Sequence, residues 1–435
     1  LPMIGFGQGW IKNFYGVGWD FVDVKNVQQT NDLGYVFFNR CGLIKTDEMG
    51  DTIWMNQDFC DRSIDNGLQT LDQGYILVGH DTLIKLDNNG VVQWGKNLQD
   101  IYLGAKAIEQ TVDGGYIITG ATDLVNKSAD YISVVKFDSF GDTLWTCYPY
   151  SYDINFDVEG VGNDIFETSD GNYIVAGTTH MENTSNDATH AFLAKINNQG
   201  DTIWCKKYLF GNMSRANSVV EDISGNFVFT GFMRDSIFTD PYCKELVLVK
   251  TDPQGNIIWV KNYQAGFCGS EASSIEITND GGYILCGERE LQSGDEQIWL
   301  LKTNNQGDTI WTQTFGNPKF YTTTAGTPIH GYENNEYGLM AAYSFLGVSN
   351  RAYVTRADIN VDDLVSNQSR PTGNPTANTV WWDAGTDSRW GIFEWNKSTG
   401  AFTNKIPTVI TSTSDLDSGV PLTSIGAIGD YAVVM

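Results

Sequence analysis

The sequence predicts an all-β fold: a β-propeller of seven four-stranded blades closed by an N-terminal strand, followed by a small C-terminal β module. Three observations support this prediction. A glycine recurs four residues before a tryptophan, a lysine recurs five residues before that glycine, and the set recurs along most of the chain. The tryptophans of this column are Trp54, Trp94, Trp145, Trp204, Trp259 and Trp311. Such self-similarity, at a period of about 40–60 residues, indicates repeated copies of one supersecondary unit.

Each repeat is expected to contain four short antiparallel strands. In the sixth repeat, the turn cluster 279–282 precedes a run of β-forming residues at 283–287. Two further strands, at 298–303 and 308–314, flank a short loop that ends at Gly307, where a positive φ is needed. Four short strands per repeat at this period are typical of a propeller blade.

The two ends of the repeat array are expected to meet. A seventh unit extends from Ile329 to Asp358 with Arg356 at the lysine position, but it lacks a fourth strand. The segment Gly9-Trp10-Ile-Lys12 resembles the outer strands of other repeats. We therefore predict that the residues around Trp10 pair with the segment around Arg356, which would remove an open seam from the ring.

Composition divides the chain into three parts. The propeller is expected at 1–365, a polar linker with two prolines at 366–379, and a small β module at 380–435. The last stretch is an apolar strand with no closing turn. This ending suggests either an attachment module or a chain that continues further.

The repeats resemble the seven-bladed β-propeller repeats of secreted bacterial proteins. The segment Asp170–Gly177, followed by Lys195 and Gly200, shows the likeness best. The glycine-to-tryptophan element also resembles the tryptophan-docking motif of quinoprotein propellers. That motif describes how a tryptophan packs between sheets and does not imply a quinone cofactor. The C-terminal module is similar to small β modules of phage tail fibres.

Charge and hydropathy exclude several partners. The net charge of −26 argues against nucleic acid and against anionic membrane surfaces. Membrane insertion is not expected, because no apolar run reaches the roughly 20 residues of a membrane span. These features fit an extracellular or cell-surface protein, with virion association as an alternative.

The tryptophan and lysine columns are expected to be structural. One large ring per blade at a fixed register favours packing between neighbouring sheets. The lysine stems are expected to cover sheet surface, with the amine reaching solvent or the acid two residues on, as in Lys45 and Asp47.

Two cysteine pairs occupy matching places in their blades. We predict the disulfides Cys41–Cys60 and Cys243–Cys268, and we expect Cys286 to be a small buried hydrophobic residue. No Cys-x-x-Cys motif occurs, so neither a zinc ribbon nor a thioredoxin-like site is predicted.

The loops that vary in length are expected to form the binding face. Two short turns of each blade lie on one face of the disc, and the two variable connections lie on the other, where binding is usual. Aromatic residues beside carboxylates in these loops suit sugar stacking or a protein partner, although they also fit a role in holding the loops in place. The candidate ligand-binding residues are Tyr150, Tyr152, Phe156, Phe238, Tyr242, Phe320 and Tyr321.

Two places have metal-ligand chemistry. His180 and His190 flank one acidic loop and could ligate a metal, although the favoured interpretation is a polar loop with two unrelated histidines. Asp153, Asn155 and Asp157 alternate oxygen ligands like the start of a calcium loop, but Val158 stands where an EF-hand requires glycine. A solvated strand edge is the favoured interpretation of this segment, so no cofactor is predicted, with a loose calcium site as the alternative.

No catalytic motif is present, neither Gly-x-Ser-x-Gly nor a P-loop nor His-Glu-x-x-His. We therefore expect a non-enzymatic extracellular binding or adhesion protein that recognises a surface glycan or protein. One alternative is an adhesion component of a virion or appendage, joined to a larger assembly by the C-terminal module. Another is a polysaccharide-acting enzyme, which a deep central pocket holding two carboxylates would favour.

Overall fold

A computed structural model covers the chain and places most of the repeat array. It describes 10–15, 24–123 except 49, 63, 80 and 99–102, then 130–149, 160–180, 189–234, 243–264, 268–290 except 279, 296–315, 325–330, 337–344 and 351–359, and short strands between 380 and 434. In 10–15 and from 325 onwards, the description is limited to the backbone. No helix among the described residues is long and apolar enough to cross a membrane.

The chain forms a β-propeller whose blades are four-stranded antiparallel sheets. Strand β1 (Trp10–Tyr15) precedes six blades built from consecutive strands. Blade 1 contains Val24–Gln29 (β2), Tyr35–Asn39 (β3), Gly42–Thr46 (β4) and Thr52–Asn56 (β5). Blade 2 contains Ile64–Gln69 (β6), Tyr75–Gly79 (β7), Thr82–Leu86 (β8) and Val92–Asn97 (β9). Blade 3 contains Leu103–Gln110 (β10), Tyr116–Asp123 (β11), Asp130–Phe137 (β12) and Thr143–Cys147 (β13). Blade 4 contains Gly160–Glu167 (β14), Tyr173–His180 (β15), Thr189–Ile196 (β16) and Thr202–Tyr208 (β17). Blade 5 contains Met213–Glu221 (β18), Phe227–Arg234 (β19), Glu245–Thr251 (β20) and Ile257–Tyr263 (β21). Blade 6 contains Cys268–Ile277 (β22), Tyr283–Glu290 (β23), Glu296–Thr303 (β24) and Thr309–Phe315 (β25). A 3-10 turn, Cys60–Arg62, follows β5.

The sheet that the sequence assigns to a seventh blade is composite. Its strands are Ala325–His330 (β26), Tyr337–Ser344 (β27) and Arg351–Ile359 (β28), and their order in the sheet is β1-β28-β27-β26. The predicted pairing of Trp10 with Arg356 is confirmed. The structure therefore shows six blades of consecutive strands rather than the seven that the sequence predicts, and this further sheet combines both ends of the array.

The C-terminal strands belong to a separate unit. Contacts divide the chain into 8–330 with 338–357, and 1–7 with 331–337 and 358–435. The second unit holds a three-stranded meander and two small strand pairs. These are Val380–Asp383 (β29), Gly391–Asn396 (β30) and Ala401–Lys405 (β31), then Thr408–Ile410 (β32) with Ala432–Val434 (β35), and Leu416–Asp417 (β33) with Val420–Pro421 (β34).

The tryptophan column packs between blades, as predicted. The ring of Trp54 in blade 1 lies edge-on to Tyr75 of blade 2, with 5.5 Å between ring centroids. It also lies against Gly90 of blade 2, where an added Cβ would fall 2.7 Å from the ring and φ is +78°. Glycine therefore serves twice at this position, by allowing the turn and by making room for the neighbouring ring. The same contact recurs for Trp94, Trp145, Trp204 and Trp259.

The lysine column differs from the sequence prediction, because its amines are buried in ion pairs. The Nζ of Lys45 donates to the Asp32 carboxylate at 2.9 Å and to the carbonyl of Thr46 at 2.7 Å. The partner is thus the aspartate of the turn between the first and second strands, and the expectation that the amine reaches solvent or Asp47 is wrong. Strand pairing places the lysine beside that turn, where the aspartate also accepts from a threonine hydroxyl and a glycine N–H. The equivalent pairs are Lys85–Asp72, Lys136–Asp113, Lys195–Asp170, Lys250–Asp222 and Lys302–Asp280.

These pairs lead to a testable prediction. The side chain of Lys136 is 2% exposed and donates to both carboxylate oxygens of Asp113. Asp113→Ala should lower the free energy of unfolding by about 1–3 kcal/mol, because it leaves a buried ammonium group with little compensation. The double variant Asp113→Ala/Lys136→Met should recover most of this loss. Urea unfolding of both variants tests the pair, and equal stability of the single and double variants would contradict it.

The disulfide prediction is confirmed for one pair. Cys41 and Cys60 are joined, and the bond holds the loop between β3 and β4 to the turn after β5. Cys243 is also disulfide-bonded, while the side chain of its predicted partner, Cys268, lies outside the described residues. Cys286 is buried with no exposed surface, as expected. A disulfide is typical of proteins from non-reducing compartments.

Candidate functional site

The first strand of each consecutive-strand blade lines the axis of the propeller. Each of these six strands contains an irregularity in its pairing with the second strand, such as the shift between Gly162 and Asp164 in β14. A β-bulge re-aims side chains next to it and is common beside binding sites. One bulge occupies an equivalent place in all six strands, and its extra residues are Lys25, Asp65, Lys106, Asn163, Asn217 and Ser273.

These strands enclose a cavity of about 640 Å³, which we call the axial cavity. Pockets for small ligands and peptide side chains commonly fall within about 300–1,000 Å³. The cavity is lined by the parts of the first strands that run from the bulge towards the short turn. The lining residues are Lys25, Asn26, Asn66, Ala107, Ile108, Glu109, Asn163, Asp164, Phe166, Asn217, Ser218, Val219, Val220, Glu221, Ser273, Ser274, Ile275, Glu276 and Ile277.

Asparagine side chains tie neighbouring first strands together around the cavity. The amide of Asn26 donates to Asn66 Oδ1 at 2.9 Å, and the amide of Asn66 donates to the carbonyl of Lys106 at 2.8 Å. On the opposite arc, Asn163 and Asn217 each donate to a backbone carbonyl of the next blade at 2.8 Å. The wall of the cavity is therefore held by hydrogen bonds between blades, which favours a site that is formed before a ligand arrives.

Three carboxyl groups with raised pKa values line the axial cavity, and the charge of Asp164 acts on both glutamates. Burial, opposed by the N–H of Glu167 and reinforced by nearby acids, raises the pKa of Glu109 to about 8. Burial and the charge of Asp164 raise the pKa of Glu276 to about 7. Burial also raises the pKa of Asp164, against hydrogen bonds from Val219, Ser218 and Ile165. At neutral pH the Glu109 and Glu276 carboxyl groups are therefore largely or partly protonated, whereas most surface carboxyl groups are ionised.

The raised pKa values predict a pH-dependent stability. Between the ordinary glutamate pKa of 4.5 and the folded values of about 7 and 8, the folded state binds more protons than the unfolded state. Stability from these groups is therefore fully present below about pH 4.5 and is lost as the pH rises towards 8.

Glu109→Gln/Glu276→Gln should be more stable than the parent protein at pH 8 by about 1–3 kcal/mol, and nearly equal to it at pH 5. Urea unfolding across this range tests the prediction, with the exposed Asp58→Asn as a control. Parallel curves for the parent and the double variant would refute it.

The seven aromatic residues that the sequence predicts as ligand-binding lie outside the described residues, as do Asp153, Asn155 and Asp157. His180 and His190 lie on the adjacent strands β15 and β16, where they pair with Thr189 and Thr179 respectively. Since side chains alternate along a strand, the two histidines face opposite sides of the sheet. Among the residues that the structure describes, no group of three His, Cys, Asp or Glu side chains is placed to hold a metal.

Sequence reasoning missed the axial cavity because its lining residues differ from blade to blade. Asn26, Ala107, Asp164 and Ser218 occupy equivalent places after the bulge, so no single residue type marks the position in every blade. One signal was present. Glu109 and Glu276 each follow an isoleucine, two residues before the threonine that begins the short turn. An acid at that place in a first strand indicates a charged group near the axis.

Solved structures share the fold. A streptogramin B lyase is similar with a TM-score of 0.50 and 12% identity, over 80% of this chain and 97% of that chain. A catalytically inactive virginiamycin B lyase from Staphylococcus aureus, solved with quinupristin, is similar with a TM-score of 0.52 and 9% identity, over 80% and 99% of the chains. No protein-family model and no curated protein matches the sequence.

These likenesses correct one expectation. The sequence was interpreted as non-enzymatic, yet two proteins with this fold are lyases by name, so the architecture gives no ground for excluding an enzyme. At 9–12% identity the likeness shows the fold alone, and it assigns neither a reaction nor a substrate to this chain. The chain is a β-propeller with repeated blades, and its function must be argued from its own axial cavity.

Proposed function

We propose that the protein is an extracellular recognition protein whose ligand, a surface glycan or a segment of a partner protein, binds in the axial cavity. The observation that carries this proposal is the cavity itself, about 640 Å³ in volume and lined by carboxyl, amide and hydroxyl groups among aliphatic walls. A few placed polar groups in a largely preformed pocket are typical of ligand sites. We also propose that the chain is a member of the secreted bacterial propeller repeat family that its repeats resemble.

Cavity blocking tests the location of the site. The full chain and two variants are applied to arrays of surface glycans and of short peptides. Ser273→Trp places an indole in the cavity, and Gln199→Trp places the same group on an exposed turn between outer strands. Ligands bound by the parent protein should be lost by Ser273→Trp and retained by Gln199→Trp, with both variants showing the parent circular dichroism spectrum. Ligands that persist in Ser273→Trp but are lost in Tyr150→Ala or Phe238→Ala would place the site in the variable loops instead.

A second candidate function is hydrolysis of a polysaccharide. A general acid must be protonated near the working pH, and the pKa values of about 8 for Glu109 and about 7 for Glu276 meet this condition. Reducing ends released from a polysaccharide panel would reveal such an activity, and Glu109→Gln or Glu276→Gln should abolish it. Unchanged release in both variants would remove this candidate.

The proposal includes a closed ring. The register of Trp10 with Arg356 repeats that of Trp54 with Lys45 and of Trp204 with Lys195. Strand β26 contacts β2 of blade 1 and β22 of blade 6. These observations support a composite seventh blade between the first and sixth blades.

The disulfide supports an extracellular location, and the module at 380–435 is proposed as an attachment element for a larger assembly. A virion or appendage component remains an alternative setting for the same binding site. Size measurement of the full chain and of residues 1–365 by light scattering would separate these cases, because assembly through the module requires that only the full chain form oligomers.

A further inference from the structure

The mouth of the axial cavity on the short-turn face carries exposed aliphatic side chains. Leu71, Val112 and Ile223 occupy the tips of the turns between first and second strands, and their exposures are 76%, 88% and 104%. We call these three residues the apolar rim. Fully exposed large aliphatic side chains at equivalent places in several blades suggest a contact surface.

The turn tips are fixed by hydrogen bonds from the next blade. The N–H of Leu71 donates to Gln110 Oε1 at 2.7 Å, and the N–H of Val112 donates to Glu167 Oε2 at 2.7 Å. Glu221, which lines the cavity, accepts from the tip residue Ser169 in the same way. The tips therefore lie next to the cavity mouth, and their side chains are presented on a rigid backbone, which lowers the entropic cost of binding.

The interior beneath the rim is strongly acidic. Glu109, Asp164, Glu221 and Glu276 line the cavity, and Lys25 is the one basic residue among the lining positions. No hydrogen bond from the described residues offsets the burial of the Glu276 carboxyl group. The side chain is partly exposed to the cavity, so a cationic donor supplied by a ligand can reach the carboxyl group and form a charge-assisted hydrogen bond with it.

From these two observations we infer that the ligand of the axial cavity is a basic segment of a partner protein. A lysine or arginine side chain enters from the short-turn face and reaches Glu276 and Glu109, while apolar side chains beside it pack on the apolar rim. This inference rests on the proposed function, because it names the ligand class of the same cavity. Charge complementarity with a protein of net charge −26 favours a cationic partner over a neutral glycan.

Cation binding should release protons. An ammonium group near Glu109 and Glu276 favours their ionised forms, which lowers the pKa of each towards its ordinary value. Calorimetry at pH 7 in two buffers of different ionisation enthalpy measures this release directly. Net proton release is expected for a lysine-centred ligand, and its absence would contradict the inference.

The decisive experiment compares matched peptides on the full chain. The probes are capped five-residue peptides with a central lysine flanked by leucines, and the same peptide with norleucine at the centre. The lysine peptide should bind at least about tenfold more tightly, since loss of a desolvated charge pair costs a few kcal/mol. Glu276→Gln should weaken its binding about tenfold, and Val112→Ser about threefold.

Two control variants separate local effects from general ones. Asp58→Asn removes an exposed carboxylate that is not among the lining positions, and Ile203→Ser removes a half-exposed aliphatic side chain from an outer strand. Both should bind the lysine peptide like the parent protein. Equal binding of the lysine and norleucine peptides, or equal losses in the control variants, would overturn the inference.

The outcome also separates this inference from the function beneath it. Array ligands that are only glycans, and that are lost in Ser273→Trp, would refute the basic-segment inference while supporting a ligand site in the cavity. Ligands unaffected by Ser273→Trp would refute both. A basic peptide that is lost in Ser273→Trp and weakened in Glu276→Gln would support both.

Discussion

Trp204→Ala should lower the free energy of unfolding by about 3–5 kcal/mol, the usual cost of truncating a large packed aromatic side chain. The indole of Trp204, on the outer strand of blade 4, packs against Phe227 of blade 5, with 6.1 Å between the ring centroids. Phe227 is completely buried. It also covers Gly255 of blade 5, where an added Cβ would fall 3.0 Å from the indole. Alanine would leave a cavity between the two sheets, because the backbones that hold them apart cannot close around it.

The neighbouring residue provides a matched control. Ile203 lies on the same strand and is 50% exposed, so Ile203→Ala should change stability by no more than about 0.5–1 kcal/mol. Guanidinium unfolding followed by circular dichroism measures both variants without relying on tryptophan fluorescence. Equal losses in the two variants would show that the tryptophan column does not join the blades.

Removal of residues 1–16 should destabilise the propeller by about 5 kcal/mol, a loss comparable with the whole stability of many domains. Strand β1 supplies six paired residues to the composite sheet, from Trp10 opposite Arg356 to Tyr15 opposite Arg351. Without it, β28 becomes an unpaired edge and the proposed ring loses its connection between the two chain ends. The truncated protein should therefore unfold at lower denaturant and associate through the exposed edge.

A peptide supplied in trans distinguishes this effect from simple loss of chain. A synthetic peptide of residues 8–17 should restore stability to the truncated protein in a concentration-dependent way, because it binds only the folded form. A peptide of the same composition in scrambled order should not. Equal stability of the truncated and full chains would contradict the closure of the ring by both ends.

The sequence predicted the repeated parts of the fold well, because repetition makes them visible. Residues equivalent to Trp54, Gly90 and Tyr75 occur in successive blades at fixed spacing, so the same strand register produces the same contacts between neighbouring blades. The pairing of Trp10 with Arg356 was predictable because the last repeat lacks a tryptophan-bearing fourth strand and the segment around Trp10 resembles one.

Two features, the partner of each lysine and the axial cavity, could not be predicted from the sequence. The partner of Lys45 is Asp32, thirteen residues earlier, and only the pairing of second and third strands brings that turn beside the amine. The axial cavity depends on six first strands meeting around one axis, so Glu109 and Glu276 become neighbours of Asp164 across blades. Neither relation leaves a local pattern in the chain. The aromatic residues of the variable loops stay a prediction.

Carboxyl footprinting tests the central claim, that the axial cavity is the ligand site, most directly. Carbodiimide labelling of carboxyl groups is read residue by residue by mass spectrometry, with and without a saturating array ligand. The ligand should reduce labelling of Glu109, Glu221 and Glu276 and leave Asp153 and Asp157 of the loop at 150–159 unchanged. Protection confined to that loop, with unchanged labelling of Glu109 and Glu276, would contradict the claim.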